Sequence, residues 1–266
     1  MNTYETTTSG VYGKTPYERT LNLLGASVRA KRHYLSVKQG WPRHLFKYKP
    51  CDEAHLKSFI VDSNFYLSSR SQLNDPFDVQ SVIEFEEGAI NASKYRNRLY
   101  KEHKPRHKKR KEIASRLSSP DRIQAGIKKS LIEAIDTSGF HSFSTEPRHL
   151  LMWSHYADAH RGLCLMFSTA LDLDVFISAL PVNYSKNFPI IHYRQDIAGD
   201  LVRNAFLTKS IEWSYEKERR IFEPDLANKF LHFDPAALVG IILGSKISKV
   251  DEGMIANLLD ARKSKR

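Results

Sequence analysis

The sequence predicts an α+β fold with a mixed central sheet, flanking helices and a basic helical insertion. Short apolar segments of strand length are separated by helical patterns of irregular length, which is typical of an α+β domain and not of a regular doubly wound one. With 266 residues, 41% of them hydrophobic, the chain is long enough for one large domain with a sizeable insertion. We expect an N-terminal extension at 1–44 and a main domain at 45–266, in which the basic insertion occupies about 88–137.

The first half of the chain is predicted to contain two helices and two strands. Leucines at helical spacing predict one helix at 17–34, within the extension. The main domain opens with a strand at 45–49, and a helix with an apolar face follows Asp52, a favourable N-cap residue. A second strand is expected at 65–69, and the turn-forming residues after it predict a loop at 71–78.

The second half of the chain is predicted from the same patterns. Five further strands are expected at 139–144, 163–167, 182–184, 219–223 and 238–243. Helices are expected at 150–159, 196–209 and 251–262. Gly162 is a stop signal for the first of these helices, and Ser248 with Asp251 has the spacing of an N-terminal capping box for the last.

The basic character of the protein belongs to one segment. Residues 94–129 hold fourteen Lys/Arg and three Asp/Glu, which equals the whole formal net charge of +11. Two prolines predict that this segment is helical in pieces. Its densest part supplies the candidate nucleic-acid-binding residues Arg106, Lys108, Lys109, Arg110 and Lys111. Such a cluster attracts nucleic acid or an acidic partner, although a solvated insertion that serves only solubility explains it as well.

Other features of the composition bear on the compartment. Cys51 and Cys164 are too few for a disulfide framework. No apolar run approaches the ~18 residues that span a bilayer, and the first residues lack the pattern of a signal peptide. We therefore expect a cytoplasmic protein that does not enter the membrane.

The segment 153–162 carries many polar side chains between two apolar stretches, which is typical of a cleft wall. It supplies the candidate ligand-binding residues Trp153, Tyr156, Asp158 and Arg161. His155 is a candidate acid or base near neutral pH. The spacing of His155 and His160 places them about 140° apart on a helix, which is poor for chelation, so no metal site is predicted. The alternative interpretation is that the aromatic residues only pack in the core.

A second polar cluster lies at 213–220. If this segment is extended, Glu216, Glu218 and Arg220 share one face. Ionisable groups are costly to bury unless they are paired or face a wet cleft. Two interpretations remain open: a structural Glu218–Arg220 ion pair, or a ligand site in which Trp213 and Arg220 accompany catalytic glutamates.

Several segments together resemble an uncharacterised bacterial family that is known only as a domain of unknown function. The resemblance covers about residues 45–245, and this chain differs by its extension and its basic insertion. It implies kinship without an established activity, and it suggests duties in toxin or phage defence. The matching segments are 45–49, 65–69, 74–78, 143–144, 152–158, 160–162 and 213–220.

The pair Glu216-x-Glu218 is also similar to the Glu-x-Glu motif of mono-ADP-ribosyltransferases. In that superfamily the second glutamate holds a ribose hydroxyl and stabilises an oxocarbenium-like state. A polar first strand and a serine-bearing strand precede the motif. Here Lys47 and Tyr48 stand in the first, and the serine is supplied by Ser68, by Ser69 or by the pair Ser144-Thr145. The resemblance implies NAD or a related nucleotide as substrate, with Glu218 as the main catalytic group; no other cofactor is indicated.

Two further functions are compatible with the sequence. Asn74 and Asp75 open a turn before Pro76, and they are candidate ligand-binding residues. Asp75 and Asp78 could join the two glutamates around Mg²⁺ in a metal-dependent nuclease. Alternatively the protein is a non-enzymatic module that binds nucleic acid or another protein through 94–129.

Overall fold

The computed structural model describes residues 41–80, 82–85, 91–187, 190–193 and 204–265, together with Ser27. The helix predicted at 17–34 lies outside these residues, except for Ser27, which is exposed and belongs to no helix or strand. The extent of the N-terminal extension therefore stays a prediction.

The main domain consists of strands and helices in irregular succession. The strands are β1 (His44–Lys49), β2 (Asn64–Leu67), β3 (Val82–Phe85), β4 (Gly139–Ser144), β5 (Leu163–Ser168), β6 (Leu180–Pro181), β7 (Asn183–Ser185), β8 (Ile190–Tyr193), β9 (Thr208–Ser210), β10 (Glu218–Glu223), β11 (Lys229–His232) and β12 (Leu238–Leu243). The α-helices are α1 (Glu53–Ile60), α2 (Ala92–His103), α3 (His107–Arg116), α4 (Pro120–Thr137), α5 (Leu150–Tyr156), α6 (Leu173–Phe176) and α7 (Lys249–Ser264). Short 3₁₀ helices occupy Arg70–Gln72, Ile211–Glu216 and Pro235–Ala237.

Six strands form the central sheet in the order β12-β5-β1-β4-β10-β6. The predicted α+β class is confirmed. The sheet was expected to be mixed, but each of its described pairings is antiparallel. The parallel pairs β3–β8 and β7–β9 belong to separate two-stranded sheets, and β2 pairs antiparallel with β11.

Three segments differ from the predicted elements. The helix expected at 150–159 ends at Tyr156, because residues 158–160 adopt left-handed backbone angles. The end of the helix expected at 196–209 is instead β9, which pairs with β7. The segment 213–220 is not one strand, since a 3₁₀ helix continues to Glu216 and only the residues from Glu218 onward are extended.

The two faces of the central sheet are covered by different helices. On one face, α1 and α7 bury apolar side chains against Leu45 and a group of phenylalanines, among which Phe65 and Phe233 stack at a centroid distance of 4.3 Å. On the other face, α5 packs against Phe46 and Tyr48. Because successive strand residues point to opposite sides, Lys47 and Lys49 lie on the α1 side of β1.

The basic segment forms three helices, as its prolines predicted. The apolar face of α4 packs Ile123, Ile127 and Leu131 against Leu117 and Tyr95. The helix α3 buries none of its side chains. The five cations proposed to bind nucleic acid are all exposed.

Two further properties follow from the described residues. None of their helices has both the length and the apolar character that a membrane crossing requires. Cys51 and Cys164 are both free thiols.

Candidate functional site

A cleft of about 330 Å³ opens between the central sheet, α5 and the 3₁₀ helix before β10. Most of the candidate catalytic and ligand-binding residues line it. These are Lys47, Tyr48, Ser68, Asn74, Asp75, His155, Tyr156, Trp213, Glu216, Glu218 and Arg220. The fold thus brings together residues that are more than 170 positions apart in the sequence.

The cleft reaches a split in the central sheet. Strands β1 and β4 are paired at Phe46 and Ser144, whereas β1 and β5 pair along their whole length. The beginning of β4 is bonded instead to Ser68, through two backbone hydrogen bonds with Phe140 of 2.9 and 3.0 Å. Where β1 and β4 separate, the Lys47 Nζ donates to the Ser142 carbonyl oxygen at 2.7 Å. The split therefore places a half-buried amino group at the floor of the cleft.

A fully buried guanidinium anchors one wall. Arg220 donates to both carboxylate oxygens of Glu218 at 2.7 and 3.0 Å, and to both of Asp78 at 2.9 and 2.5 Å. Its remaining N–H donates to the Phe206 carbonyl oxygen at 2.9 Å. All five donors of the guanidinium are used, which is the condition under which a buried charge is tolerated. The ion pair of Glu218 and Arg220 that the sequence suggested is present.

Lys209 joins the same cluster. Its Nζ lies 2.6 Å from Glu216, 3.2 Å from Glu218 and 3.5 Å from Asp78. It also lies 5.0 Å from the centroid of the Trp213 ring. Burial lowers the pKa of Lys209, but the three carboxylates outweigh that effect and hold the pKa above its usual value. The ammonium group is therefore charged.

The cluster of Asp78, Lys209, Glu216, Glu218 and Arg220 contains one carboxyl group in excess of its cations. Burial raises the pKa of Glu218, but Arg220 and Lys209 outweigh it and hold that pKa well below its usual range. For Glu216, burial dominates and raises the pKa. The two glutamates thus differ, since Glu218 is locked as a carboxylate and Glu216 is the more easily protonated group.

Aromatic side chains help to hold the cluster in place. The Tyr156 hydroxyl donates to Glu216 at 2.5 Å, and the Tyr184 hydroxyl accepts from the backbone N–H of Glu218 at 2.8 Å. The Trp213 indole N–H donates to Asp75 at 2.7 Å. These contacts fix the position of each glutamate and leave the cleft between α5 and the sheet open.

The loop 74–78 supplies two of the carboxylates. The Asp75 side chain accepts the backbone N–H of Phe77 at 2.9 Å, and its carbonyl oxygen accepts that of Asp78 at 3.1 Å. This turn directs Asp78 toward Arg220 and Asp75 toward Trp213. The described residues contain no group of three or more His, Cys, Asp or Glu side chains that could hold a metal ion. The arrangement gives no support to the nuclease interpretation, because Lys209 and Arg220 already engage Asp78, Glu216 and Glu218.

The half-buried Lys47 and the buried His141 are ionisable groups at the split. Burial, reinforced by Lys49, lowers the pKa of Lys47 to about 7. Burial also lowers the pKa of His141 well below its usual value. The His141 Nδ1 lies 2.9 Å from the Tyr66 carbonyl oxygen, and its Nε2 has no partner among the described residues. At neutral pH the His141 ring is therefore uncharged and the Lys47 amine is only partly protonated, and both groups line the cleft.

Three predicted ligand-binding residues lie outside the cleft. Trp153 is buried, and its indole N–H donates to the Pro147 carbonyl oxygen at 3.0 Å. Asp158 and Arg161 form an exposed ion pair with each other, with a shortest distance of 2.8 Å. Their prediction rested on a longer helix, and the left-handed turn after Tyr156 directs them away from the cleft. His155 stays at the rim, where it is exposed.

Sequence reasoning missed four residues of the site. Lys209 was assigned to a helix, and nothing in its local pattern indicates a buried cation. His141 and Ser142 lie in a strand whose alternation predicts one inward and one outward side chain, which was a usable signal. Lys49 is two residues from Lys47 on the same strand, so the two side chains share a face, and this spacing also indicated that Lys49 belongs to the site.

Comparison with known proteins finds a family model that matches part of this region. Residues 152–221 match the model described as "Protein of unknown function (DUF2971)". The resemblance to a domain-of-unknown-function family is confirmed over this part of the chain, which extends from α5 into β10 and includes Lys209 and both glutamates. No curated protein and no solved structure matches the chain. These comparisons leave the likeness to ADP-ribosyltransferases without further support.

Proposed function

We propose that the cleft binds NAD or a related nucleotide and that the protein transfers the ADP-ribosyl group from it. The observation that carries the proposal is the adjacency of three strands. β1 brings Lys47, β4 brings Ser142 and Ser144, and β10 brings Glu218 to one cleft, with Ser144 paired to both Phe46 and Glu218. This is the order of polar strand, serine-bearing strand and glutamate that the sequence resemblance implied, with Ser144 as one of its serine candidates.

The chemistry needs a site that stabilises positive charge on a sugar. The bond between the ribose anomeric carbon and the nicotinamide nitrogen breaks, the nitrogen keeps the electron pair, and neutral nicotinamide leaves. An acceptor hydroxyl or water then bonds to the anomeric carbon and releases its proton. The cluster has one carboxyl group in excess and is rigidly held, so it favours the oxocarbenium-like state electrostatically.

The contacts divide the two glutamates between roles. Glu218 is held by Arg220 and Lys209 and is a positioning residue. Glu216 is held by Tyr156 and Lys209 at the cleft surface, and we assign to it the contact with the ribose. Lys47 lies across the cleft and receives the polar end of the ligand.

The test is release of nicotinamide from labelled NAD. Glu216→Gln keeps the shape of the side chain and removes its charge, and we expect a loss of about 100-fold or more, as for other electrostatic groups in active sites. Asp158→Asn is the matched control, since it makes the same change outside the cleft. Wild-type protein that neither binds nor cleaves NAD, or a fully active Glu216→Gln variant, would show the proposal to be wrong.

A second candidate function is binding of nucleic acid by α3. The favouring observation is that Arg106, Lys108, Lys109, Arg110 and Lys111 are all exposed. Exposed cations of this density bind phosphates without reading a base sequence. This function does not exclude the first, because the helix lies outside the cleft.

A further inference from the structure

A second compartment of about 440 Å³ lies on the other side of the split. It is bounded by β1, β2, the start of β11 and α1, and so it lies on the opposite face of the sheet from α5. Its wall shares Lys47, Lys49, Ser68, Gln72 and His141 with the cleft. The two spaces therefore meet where β1 and β4 separate.

The two spaces differ in their acidic lining. Four carboxyl groups line the cleft, where Lys47, Lys49, Lys209 and Arg220 accompany them, whereas none of the described residues that line the second compartment is acidic. The charged groups of that compartment are Lys47 and Lys49, with His55 at its side. The nearby Asp52 is exposed and lies 3.0 Å from the His55 ring, and it caps the start of α1 by accepting the backbone N–H of His55. A ligand that enters this space meets positive charge alone.

The two lysines are directed into this space together. They are two residues apart on β1, so their side chains leave the strand on the same side. Burial lowers the pKa of both groups, and the carboxylates that oppose this effect, Glu218 and Glu216 for Lys47 and Asp52 for Lys49, offset it only in part. An anion between the two amines adds negative charge there and favours their protonated forms.

His141 adds an unused acceptor to the same wall. Its Nδ1 is placed to donate to the Tyr66 carbonyl oxygen, which leaves the lone pair of a neutral ring on Nε2. That Nε2 is buried and has no hydrogen-bond partner among the described residues. Buried polar atoms are usually satisfied, so Nε2 is a specific site for a ligand hydroxyl or amine.

We propose that the second compartment binds a phosphate or pyrophosphate group, with Lys47 and Lys49 as its cations and the His141 Nε2 as acceptor for a neighbouring hydroxyl. The connection of this phosphate group to the cleft rests on the proposed function. A nucleotide then spans the split, with its phosphates among the lysines and its reacting ribose beside Glu216. The substrate class is accordingly a nucleoside diphosphate whose far ribose carries the leaving group.

Binding of inorganic pyrophosphate, ADP and adenosine, measured by calorimetry at fixed ionic strength, tests the site. We expect wild-type protein to bind pyrophosphate and ADP, and Lys49→Met to weaken both about tenfold or more, because a desolvated charge pair is lost. Lys49→Arg should retain most of the binding. Lys246→Met is the matched control, since Lys246 is exposed and lies in the turn after β12.

The outcomes separate the possible ligands and the two proposals. Tighter binding of ADP than of pyrophosphate supports a nucleotide as the source of the phosphate, and binding of pyrophosphate alone supports a free anion. Equal pyrophosphate affinity of folded wild-type and Lys49→Met protein, or binding of adenosine alone, overturns the inference. If Lys49→Met still cleaves NAD normally, the inference fails and the proposed function stands. If pyrophosphate binds through Lys49 but NAD is never cleaved, the inference stands and the proposed function fails.

Discussion

Lys47 is a side chain whose charge the fold suppresses. Its pKa of about 7 lies far below the usual value near 10.5, with burial as the main cause and Lys49 as the second. Between these two values the unfolded chain holds one more proton than the folded protein. The free energy of unfolding therefore rises with pH in this range, and below pH 7 the folded state bears the full cost of burying the charge.

This argument predicts a pH-dependent effect of Lys47→Met. The stability of the wild type relative to the variant should increase between pH 7 and pH 9, with a limiting slope of about 1.4 kcal/mol per pH unit. Urea unfolding at pH 6, 7, 8 and 9 measures this difference. The corresponding difference between wild type and Lys246→Met should not change with pH. A constant difference in the free energy of unfolding between wild type and Lys47→Met across this range would show that the pKa of the Lys47 amine is not lowered in the folded protein.

Individual residues of the site could be predicted from the sequence, but their surroundings in the folded protein could not. Lys47, Glu216 and Glu218 were recognised from their positions in short motifs. The burial of Lys47 was not predictable, because it depends on the separation of β1 from β4, which no local pattern encodes. Lys209 was missed for the same reason, since its partners come from a distant loop and from β10.

At the scale of elements, apolar runs were located well and polar segments were not. Strands β1, β4, β5 and β12 begin and end within a residue or so of their predicted positions. β9 was predicted as helix because Thr208–Ser210 carries no strand pattern, and its pairing with β7 decides its conformation. Gly162 was expected to stop a helix, but its function is close approach: an added Cβ would lie 2.2 Å from the Lys49 carbonyl oxygen.

The helix α3 carries a prediction of its own. Changing its five cations at 106 and 108–111 to Gln should abolish binding of a labelled DNA or RNA duplex at physiological salt. At low salt, the slope of log K against log salt should become shallower by up to about 4.5, since each of five phosphate contacts on a duplex contributes about 0.9. The fold should survive, because α3 buries none of its side chains.

Fluorescence anisotropy over a salt series makes this measurement. The matched control changes the exposed Lys246, Lys249 and Lys263 to Gln, outside the insertion. If the control weakens binding as much as the change in α3, attraction is a property of total charge, and the helix is only a solvated surface.

For the whole molecule, Arg220 connects parts of the chain that are far apart. It links β10 to the loop at Asp78 and to the carbonyl oxygen of Phe206. Arg220→Met should lower the free energy of unfolding by about 3–5 kcal/mol, because it leaves two buried carboxylates without their main partner. Adding Asp78→Asn and Glu218→Gln should recover part of this loss.

Denaturant unfolding of the single and combined variants checks the prediction. Arg219→Met is the matched control. Arg219 donates to the Ala179 carbonyl oxygen and lies over the Trp41 ring. Its replacement leaves none of the described carboxylates without its partner. A loss for Arg220→Met no larger than that of Arg219→Met would indicate that the cluster adds nothing to stability.

The fold class was predictable, but the sheet order was not. Irregular alternation of apolar runs indicates α+β, and the suggested pairing of Glu218 with Arg220 is local enough to be anticipated. The order β12-β5-β1-β4-β10-β6 depends on pairings between segments that are distant in the sequence. Which strands pair is decided by the apolar surface that the whole arrangement buries, and no short motif specifies it. The split at β1 and β4 is a product of that competition.

Trp213 gives the protein an optical property. Its indole lies beside the Lys209 ammonium and is tethered to Asp75, at the wall of the cleft. The emission of an indole depends on charges held close to its ring, so any molecule that displaces this ammonium changes the colour and intensity of the light that Trp213 emits. The cleft therefore contains its own fluorophore, and its occupancy can be followed without an added label.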